Sequence, residues 1–142
     1  MKQIVRLITT AIIAGVILAL SLKIIQITTG NPAYILLYNM DYIPVLKQWN
    51  NVPGAGMLFH FITCIVSVIG LFYILKLFKW EKVASLYVAV YTIGGGILFF
   101  LSALTETPPA YTNAAAWFYW TIGHAIFGVT VGLLIKSISS KQ

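Results

Sequence analysis

The chain has 142 residues, of which 60% are hydrophobic and only 8% are charged. A soluble domain usually carries about 25% charged residues, so this composition excludes an ordinary soluble protein and indicates a membrane protein. The formal net charge is +6, but the Lys and Arg residues lie at the ends of apolar runs and do not cluster on one polar element. This distribution argues against a nucleic-acid partner and is typical of charges that orient membrane helices.

Four apolar runs are each long enough to cross a bilayer, which needs about 20 apolar residues per helix. The predicted spans cover residues 7–27, 57–77, 83–104 and 115–135. The runs do not alternate apolar and polar residues, so transmembrane strands are not expected. We therefore predict an all-α polytopic membrane protein whose single transmembrane domain, residues 1–142, forms a four-helix bundle in the lipid bilayer.

The distribution of Lys and Arg also predicts how the spans are oriented. One group lies at the N-terminus, between spans two and three, and at the C-terminus: Lys2, Arg6, Lys76, Lys79, Lys82, Lys136 and Lys141. Only Lys23 and Lys47 lie near the opposite ends of the spans. We therefore expect both termini to be cytoplasmic in a cell membrane, with external loops at residues 28–56 and before span four.

The first external loop is unusually apolar for a solvated connection. Its central part reads AYILLYNMDYIPVLKQW. Such a segment can lie flat on the membrane as an interfacial helix, or it can dip into the bilayer. The sequence leaves both arrangements open.

A short motif occurs in both predicted external loops. ITTGNPAY and LTETPPAY each end an apolar run, and each has a Thr followed four residues later by Pro-Ala-Tyr, which ends at Tyr34 and at Tyr111. A span that contains one histidine follows each motif, with His60 in span two and His124 in span four. The pattern predicts two parallel two-helix repeats. A chance match in a sequence rich in Tyr and Ala is the alternative.

The glycines of spans three and four have spacings that favour close helix contacts. Gly128 and Gly132 form a GxxxG pair in span four. Gly94, Gly95 and Gly96 could offer a complementary flat surface in span three. We expect all five residues to serve in helix packing.

The candidate functional site consists of ionisable residues near the external side, because such residues are costly inside a membrane and are often functional. His60 lies about one turn into its span, and His124 lies roughly 10 Å deep by helical rise. Glu106 precedes the last span, and Tyr34 and Tyr111 could position a substrate. For each histidine, a hydrogen bond that only holds helices together is the alternative.

Three kinds of chemistry would suit two histidines and a carboxylate in one external cavity. They could bind a transition metal, sense or relay protons at about pH 5 to 7, or act as general acid and base on a lipid. The sequence contains no HExxH, no GxSxG and no nucleophile placed beside a base. It therefore leaves the metal and any cofactor unknown, and the single Cys64 is expected to be a buried apolar side chain.

These observations favour a non-enzymatic membrane protein that senses or conducts protons. The second hypothesis is a membrane-embedded enzyme that acts on a lipid or lipid-linked substrate at the outer leaflet. The third is a small transporter or channel. It would require a homo-oligomer, because four short spans seldom enclose a pathway alone.

The segments LTETPPAY, WFYWTIGHAIFGVTVGLLI and GMLFHFITCIVSVIGLFYIL resemble the YagU-like family of bacterial inner-membrane proteins. The resemblance covers mainly the C-terminal two-thirds of the chain. The residues that carry it are Pro108, Pro109, Gly123, His124 and His60. It implies a bacterial plasma-membrane protein loosely associated with acid tolerance.

One position departs from that family. The family often has a carboxylate one turn before the last histidine, and this sequence has Trp120 there. If that carboxylate orients the histidine in the family, either His124 does not have the same role in this chain or Glu106 substitutes for the carboxylate.

Overall fold

The structure is a computed structural model that describes residues 2–139, so Lys141 of the charge count lies outside the described residues. The described part forms five α-helices: α1 (Lys2–Thr29), α2 (Ala33–Tyr38), α3 (Ala55–Leu77), α4 (Ala84–Leu98) and α5 (Ala114–Ser139). Two 3₁₀ helices, Lys47–Trp49 and Phe99–Leu104, complete the secondary structure, and this part of the chain contains no strand.

Four helices are long and apolar enough to cross a membrane: α1, α3, α4 with its 3₁₀ extension, and α5. The predicted four-helix transmembrane bundle is therefore confirmed, and the chain is a multi-pass membrane protein. The helix α1 extends beyond its predicted span at both ends. At its C-terminus, the hydroxyls of Thr28 and Thr29 donate to carbonyls one turn earlier, at Ile24 and Ile25, and so stay paired within the helix.

The third span changes from α to 3₁₀ geometry after Leu98, beside two tryptophans of α5. The indole Nε1 of Trp120 donates to the carbonyl of Gly95 at 2.8 Å, and that of Trp117 donates to the carbonyl of Gly96 at 3.0 Å. A side chain that takes part in the hydrogen bonding of a helix backbone commonly accompanies a local change of helix geometry. These two bonds also join α4 to α5.

The four long helices form an open arc and not a closed ring. The helix α1 packs against α3 and α5, and α5 packs closely against α4. Within the described residues, α3 and α4 hardly approach each other. The two edges of the arc therefore leave a gap between them.

Glycines permit the closest helix contact, which is between α4 and α5. A Cβ at Gly128 would lie 2.9 Å from the carbonyl oxygen of Tyr87, and one at Gly132 would lie 2.8 Å from that of Ala84. Both distances are too short for a side chain, so the backbones meet directly at these positions.

The glycines of α4 divide between two environments. Gly95 and Gly96 face α5, where added Cβ atoms would meet His124 and Thr121. An added Cβ at Gly94 would have no neighbour within 4 Å. Successive helical residues point about 100° apart, so Gly94 faces the gap, and the expected packing role does not apply to it.

The predicted two-fold arrangement of repeats is not seen in the packing. If the halves were equivalent, the contact of α1 with α5 would be matched by one of α3 with α4, and those two helices stay apart. The Pro-Ala-Tyr motifs also differ in conformation. The first leads into α2 from Pro32, whereas the second lies in bends and turns after a cis Pro108–Pro109 bond.

The helix α2 closes one end of the bundle. It packs against α1, α3 and α5, and its buried residues Ala33, Leu36 and Leu37 belong to the main hydrophobic core. Gly56 allows this approach, because a Cβ there would overlap the carbonyl of Tyr38. This part of the first loop is therefore integrated into the bundle, and it does not lie apart on the membrane plane.

Side-chain hydrogen bonds join the two long loops at this same end of the bundle. The hydroxyl of Thr107 donates to Asp41 Oδ2 at 2.8 Å, and the amide of Asn39 donates to the hydroxyl of Thr105 at 3.1 Å. We call this the loop end, and we call the opposite end, which carries residues 76–82, the basic end.

Candidate functional site

The gap between α3 and α4 contains a cavity of about 440 Å³. The helices α1 and α5 form its back wall, and Leu36, Leu37 and Tyr42 close it toward the loop end. Most lining side chains are apolar, and both histidines are among the few polar ones. The structure thus brings His60 and His124 to one cavity.

His60 lies on the α3 side of the cavity and is only 5% exposed. Its Nε2 lies 3.1 Å from the carbonyl oxygen of Gly15 on α1. A carbonyl can only accept a hydrogen bond, so Nε2 carries the ring proton and Nδ1 has a lone pair. This bond fixes the tautomer of His60 and joins α1 to α3.

Cys64 lies one turn after His60 and also lines the cavity. Its sulfur is 3.8 Å from both ring nitrogens of His60. Because the two distances are equal, the thiol is not aligned with either nitrogen as an activated nucleophile would be. The pair therefore does not have the geometry of a thiol nucleophile with its base.

His124 lies on the α5 side of the same cavity. Its Nδ1 lies 2.9 Å from the carbonyl oxygen of Trp120, one turn earlier in the helix, so Nδ1 carries the ring proton. Its Nε2 forms no hydrogen bond with any described residue. The Trp120 ring packs beside the imidazole, with 4.5 Å between the ring centroids.

The carbonyl of Trp120 therefore orients His124, and no carboxylate is needed for this. Glu106 is exposed in the second loop and is not among the residues that line the cavity. The expectation that Glu106 substitutes for the family's carboxylate does not agree with this geometry. The reason is local, since an imidazole at this helical position reaches the backbone one turn before it.

Two tyrosines bring hydroxyl groups to the cavity wall. The hydroxyl of Tyr91 on α4 is buried and has no hydrogen-bond partner of good geometry, although Ser67 of α3 approaches it. The hydroxyl of Ser67 donates to the carbonyl of Cys64 in its own helix. Burial raises the pKa of Tyr42 at the loop end, so its hydroxyl stays neutral at physiological pH.

The two remaining sequence candidates, Tyr34 and Tyr111, do not line the cavity. Tyr111 is 53% exposed in the second loop. Tyr34 is half-buried on α2, with the ammonium of Lys23 5.0 Å from its ring centroid and Tyr38 against its edge. Burial and the nearby Tyr38 raise the pKa of Tyr34. Of the five candidates, the structure brings together only the two histidines.

Sequence reasoning missed several residues of this cavity. Cys64 follows His60 by four residues, and Gly94 follows Tyr91 by three, so helical spacing could have grouped each pair. Trp120 precedes His124 by four residues, so helical spacing could have grouped this pair as well. No sequence signal shows that α3 and α4 stay apart.

The described residues contain no group of three or more His, Cys, Asp or Glu side chains that could hold a metal ion. Comparison with known proteins finds no matching family model, no matching curated protein and no matching solved structure. The resemblance to the YagU-like family therefore stays a prediction.

Proposed function

We propose that the protein binds a lipid-like molecule in the cavity between α3 and α4. The observation that carries this proposal is the gap itself, an apolar cavity of about 440 Å³ with both intramembrane histidines on its walls. Ligand sites are typically mostly apolar cavities of about 300–1,000 Å³ with a few placed polar groups. This cavity has that volume and that composition.

A lipid-like ligand could reach the cavity sideways from the bilayer. The helices α3 and α4 do not close on each other, and Val90, which lines the cavity, is 44% exposed. Between membrane helices no hydrophobic force closes such a gap, because lipid tails are as apolar as the side chains. A hydrocarbon chain could therefore enter without leaving an apolar environment.

Filling the cavity tests the proposal. Gly94 and Gly70 both have open space around an added Cβ, but only Gly94 lines the cavity. We expect the wild-type protein and Gly70→Leu to retain a lipid-like molecule through purification, and Gly94→Leu to lose it. Native mass spectrometry of each protein, released from gentle detergent, would detect the bound mass. Equal retention by the two variants, or no bound molecule in the wild type, would contradict the proposal.

A second candidate function is a response to protons. Both imidazoles line one apolar cavity, and imidazole normally titrates near neutral pH. A protonated ring would bring charge into an apolar site, which is costly and would favour opening or hydration of the cavity. The association of the YagU-like family with acid tolerance agrees with this candidate.

The proton response can be tested by tryptophan fluorescence, because Trp120 lies beside His124. We expect a fluorescence transition on acidification in the wild type. The double variant His60→Ala, His124→Ala should lose it, whereas Glu106→Gln should keep it. A transition that is unchanged in the double variant would exclude this candidate.

The orientation in the membrane is also a proposal. The lysines of the basic end favour cytoplasmic termini in a bacterial plasma membrane, with the loop end outside. In a Cys64→Ala background, a membrane-impermeant thiol reagent applied to intact cells should label Glu106→Cys and not Lys79→Cys. The opposite labelling would reverse the orientation.

Catalysis on a lipid and transport by a homo-oligomer remain the alternatives to simple binding. Both would use the same cavity. Neither has a specific observation in its favour, and the Cys64–His60 pair is not aligned for catalysis.

A further inference from the structure

The cavity also indicates which headgroup its ligand carries, and this step rests on the proposed lipid-binding function. We infer that the cavity selects a molecule with an apolar chain and a neutral, hydrogen-donating hydroxyl group, such as a long-chain alcohol, a phenol or a hydroquinone. The hydroxyl would donate to Nε2 of His124, the acceptor on the cavity wall.

A backbone carbonyl determines which ring nitrogen of His124 can accept a hydrogen bond. Because Nδ1 of His124 donates to the carbonyl of Trp120, the lone pair of the neutral ring is on Nε2. His124 lies on the cavity wall, and its Nε2 has no partner among the described residues. An acceptor that faces an apolar cavity without a partner is costly, so a ligand that donates a hydrogen bond there gains affinity.

Tyr91 brings a second polar group to the wall of the same cavity, on the α4 side. On α4, Tyr91 is one turn from Gly95, against which His124 packs. On α5, His124 is three residues from Phe127, whose ring contacts the Tyr91 ring edge-on with 4.8 Å between the centroids. The Tyr91 hydroxyl is buried and forms no hydrogen bond of good geometry, although Ser67 approaches it, so it can donate to a ligand oxygen in this cavity. The cavity therefore offers a ligand an acceptor at His124 and a donor at Tyr91.

The charge of the lining argues against an anionic headgroup. None of the residues that line the cavity is Lys, Arg, Asp or Glu. A phosphate or an ionised carboxylate in this position would be a buried charge without a partner, which is strongly unfavourable. The described lysines lie at the ends of the bundle, as Lys23 and Lys76 do, where they would meet headgroups of ordinary phospholipids.

Three probes of equal chain length test the inference: dodecanol, dodecyl methyl ether and dodecyl phosphate. Binding of each radiolabelled probe would be measured on the full chain in phosphatidylcholine nanodiscs. We expect dodecanol to bind about five- to tenfold more tightly than the ether, which retains the oxygen acceptor but has no proton to donate. The phosphate should bind more weakly than the alcohol.

Substitutions test whether His124 causes the preference for the alcohol over the ether. His124→Phe should bring the alcohol and the ether to equal affinity. Thr130→Val is the matched control, because its hydroxyl donates within α5 and lies outside the cavity, so the preference should persist. Should His124→Phe fail to fold, the comparison of probes on the wild type still decides the question.

The outcomes separate this inference from the proposed function. Equal binding of alcohol and ether by the wild type, or tightest binding of the phosphate, would overturn the headgroup assignment and leave lipid binding intact. If no probe binds and Gly94→Leu retains as much copurified lipid as Gly70→Leu does, the proposed function fails and the inference with it. A preference for the alcohol that is lost only in His124→Phe supports both the headgroup assignment and the proposed lipid binding.

Discussion

The imidazole of His124 packs directly against the backbone of Gly95. A Cβ at Gly95 would lie 2.7 Å from Cδ2 of the imidazole, closer than side-chain carbons pack. The carbonyl of Gly95 also accepts the indole hydrogen bond of Trp120, and the carbonyl of Trp120 accepts the one from His124. The position of the imidazole in the cavity therefore depends on a residue without a side chain.

The first prediction concerns this contact. Gly95→Ala should displace His124 and lower the free energy of unfolding by about 1–3 kcal/mol, the usual cost of overpacking. Titration with sodium dodecyl sulfate in mixed micelles would measure the free energy of unfolding of each variant. Gly70→Ala is the control, because its Cβ would meet open space and Ala is the better helix former. If Gly95→Ala were as stable as Gly70→Ala, the contact would not be as close as described.

A second prediction concerns the hydrogen bond between α3 and α1. His60→Leu removes the bond from Nε2 to the carbonyl of Gly15 and should lower the free energy of unfolding by about 1 kcal/mol. In Thr63→Val, the lost hydroxyl bonded only to the carbonyl of Phe59 in its own helix, so little change is expected. Equal stability of the two variants would show that the interhelical bond contributes nothing measurable.

The third prediction concerns the hydrogen bonds that join the loops. Asp41→Ala and Thr107→Val should each speed backbone hydrogen exchange in residues 39–50, because each removes the 2.8 Å bond between the loops. The double variant should add little to either single change, with a coupling of about 1 kcal/mol.

Glu106→Gln provides the control for the loop experiment, since Glu106 is exposed beside this network. Its exchange rates should match those of the wild type. Additive effects of the Asp41 and Thr107 substitutions would indicate that the two side chains act independently.

The fourth prediction follows from the inferred headgroup and gives the sign of its pH dependence. A neutral imidazole accepts a hydrogen bond through its lone pair, and a protonated one does not. The affinity for dodecanol should therefore fall as the pH falls, and the affinity for its methyl ether should fall less. In His124→Gln, whose amide oxygen accepts without titrating, the preference for the alcohol should not vary with pH. A preference that rises on acidification would require a different acceptor.

Sequence reasoning predicted the parts of this protein that depend on local composition. The lengths of the apolar runs predicted four spans, because crossing a bilayer requires a minimum helix length whatever the neighbouring helices are. Helical spacing and glycine content singled out Gly128 and Gly132, and the backbones of α4 and α5 meet at these positions. The rarity of polar residues in the spans singled out His60 and His124.

The same reasoning grouped residues by the side of the membrane they were expected to face, which is too coarse to define a site. Glu106 and Tyr111 were expected on the same side of the membrane as the histidines, but both are exposed in a loop outside the cavity. Asp41 and Thr107 are far apart in the chain and meet only because the loops fold together. Sequence spacing carries no information about such contacts.

What the sequence by itself determined is the membrane class, the number of spans and the presence of two intramembrane histidines, since each follows from hydrophobicity along one segment. Only the tertiary structure decided that α1 packs with α5 while α3 and α4 stay apart, and that both imidazoles face the resulting gap. The physical reason is that all four helices are apolar around most of their surface. Hydrophobicity therefore does not select their neighbours, and close contacts at Gly95, Gly128 and Gly132, with hydrogen bonds from a few side chains, do so instead.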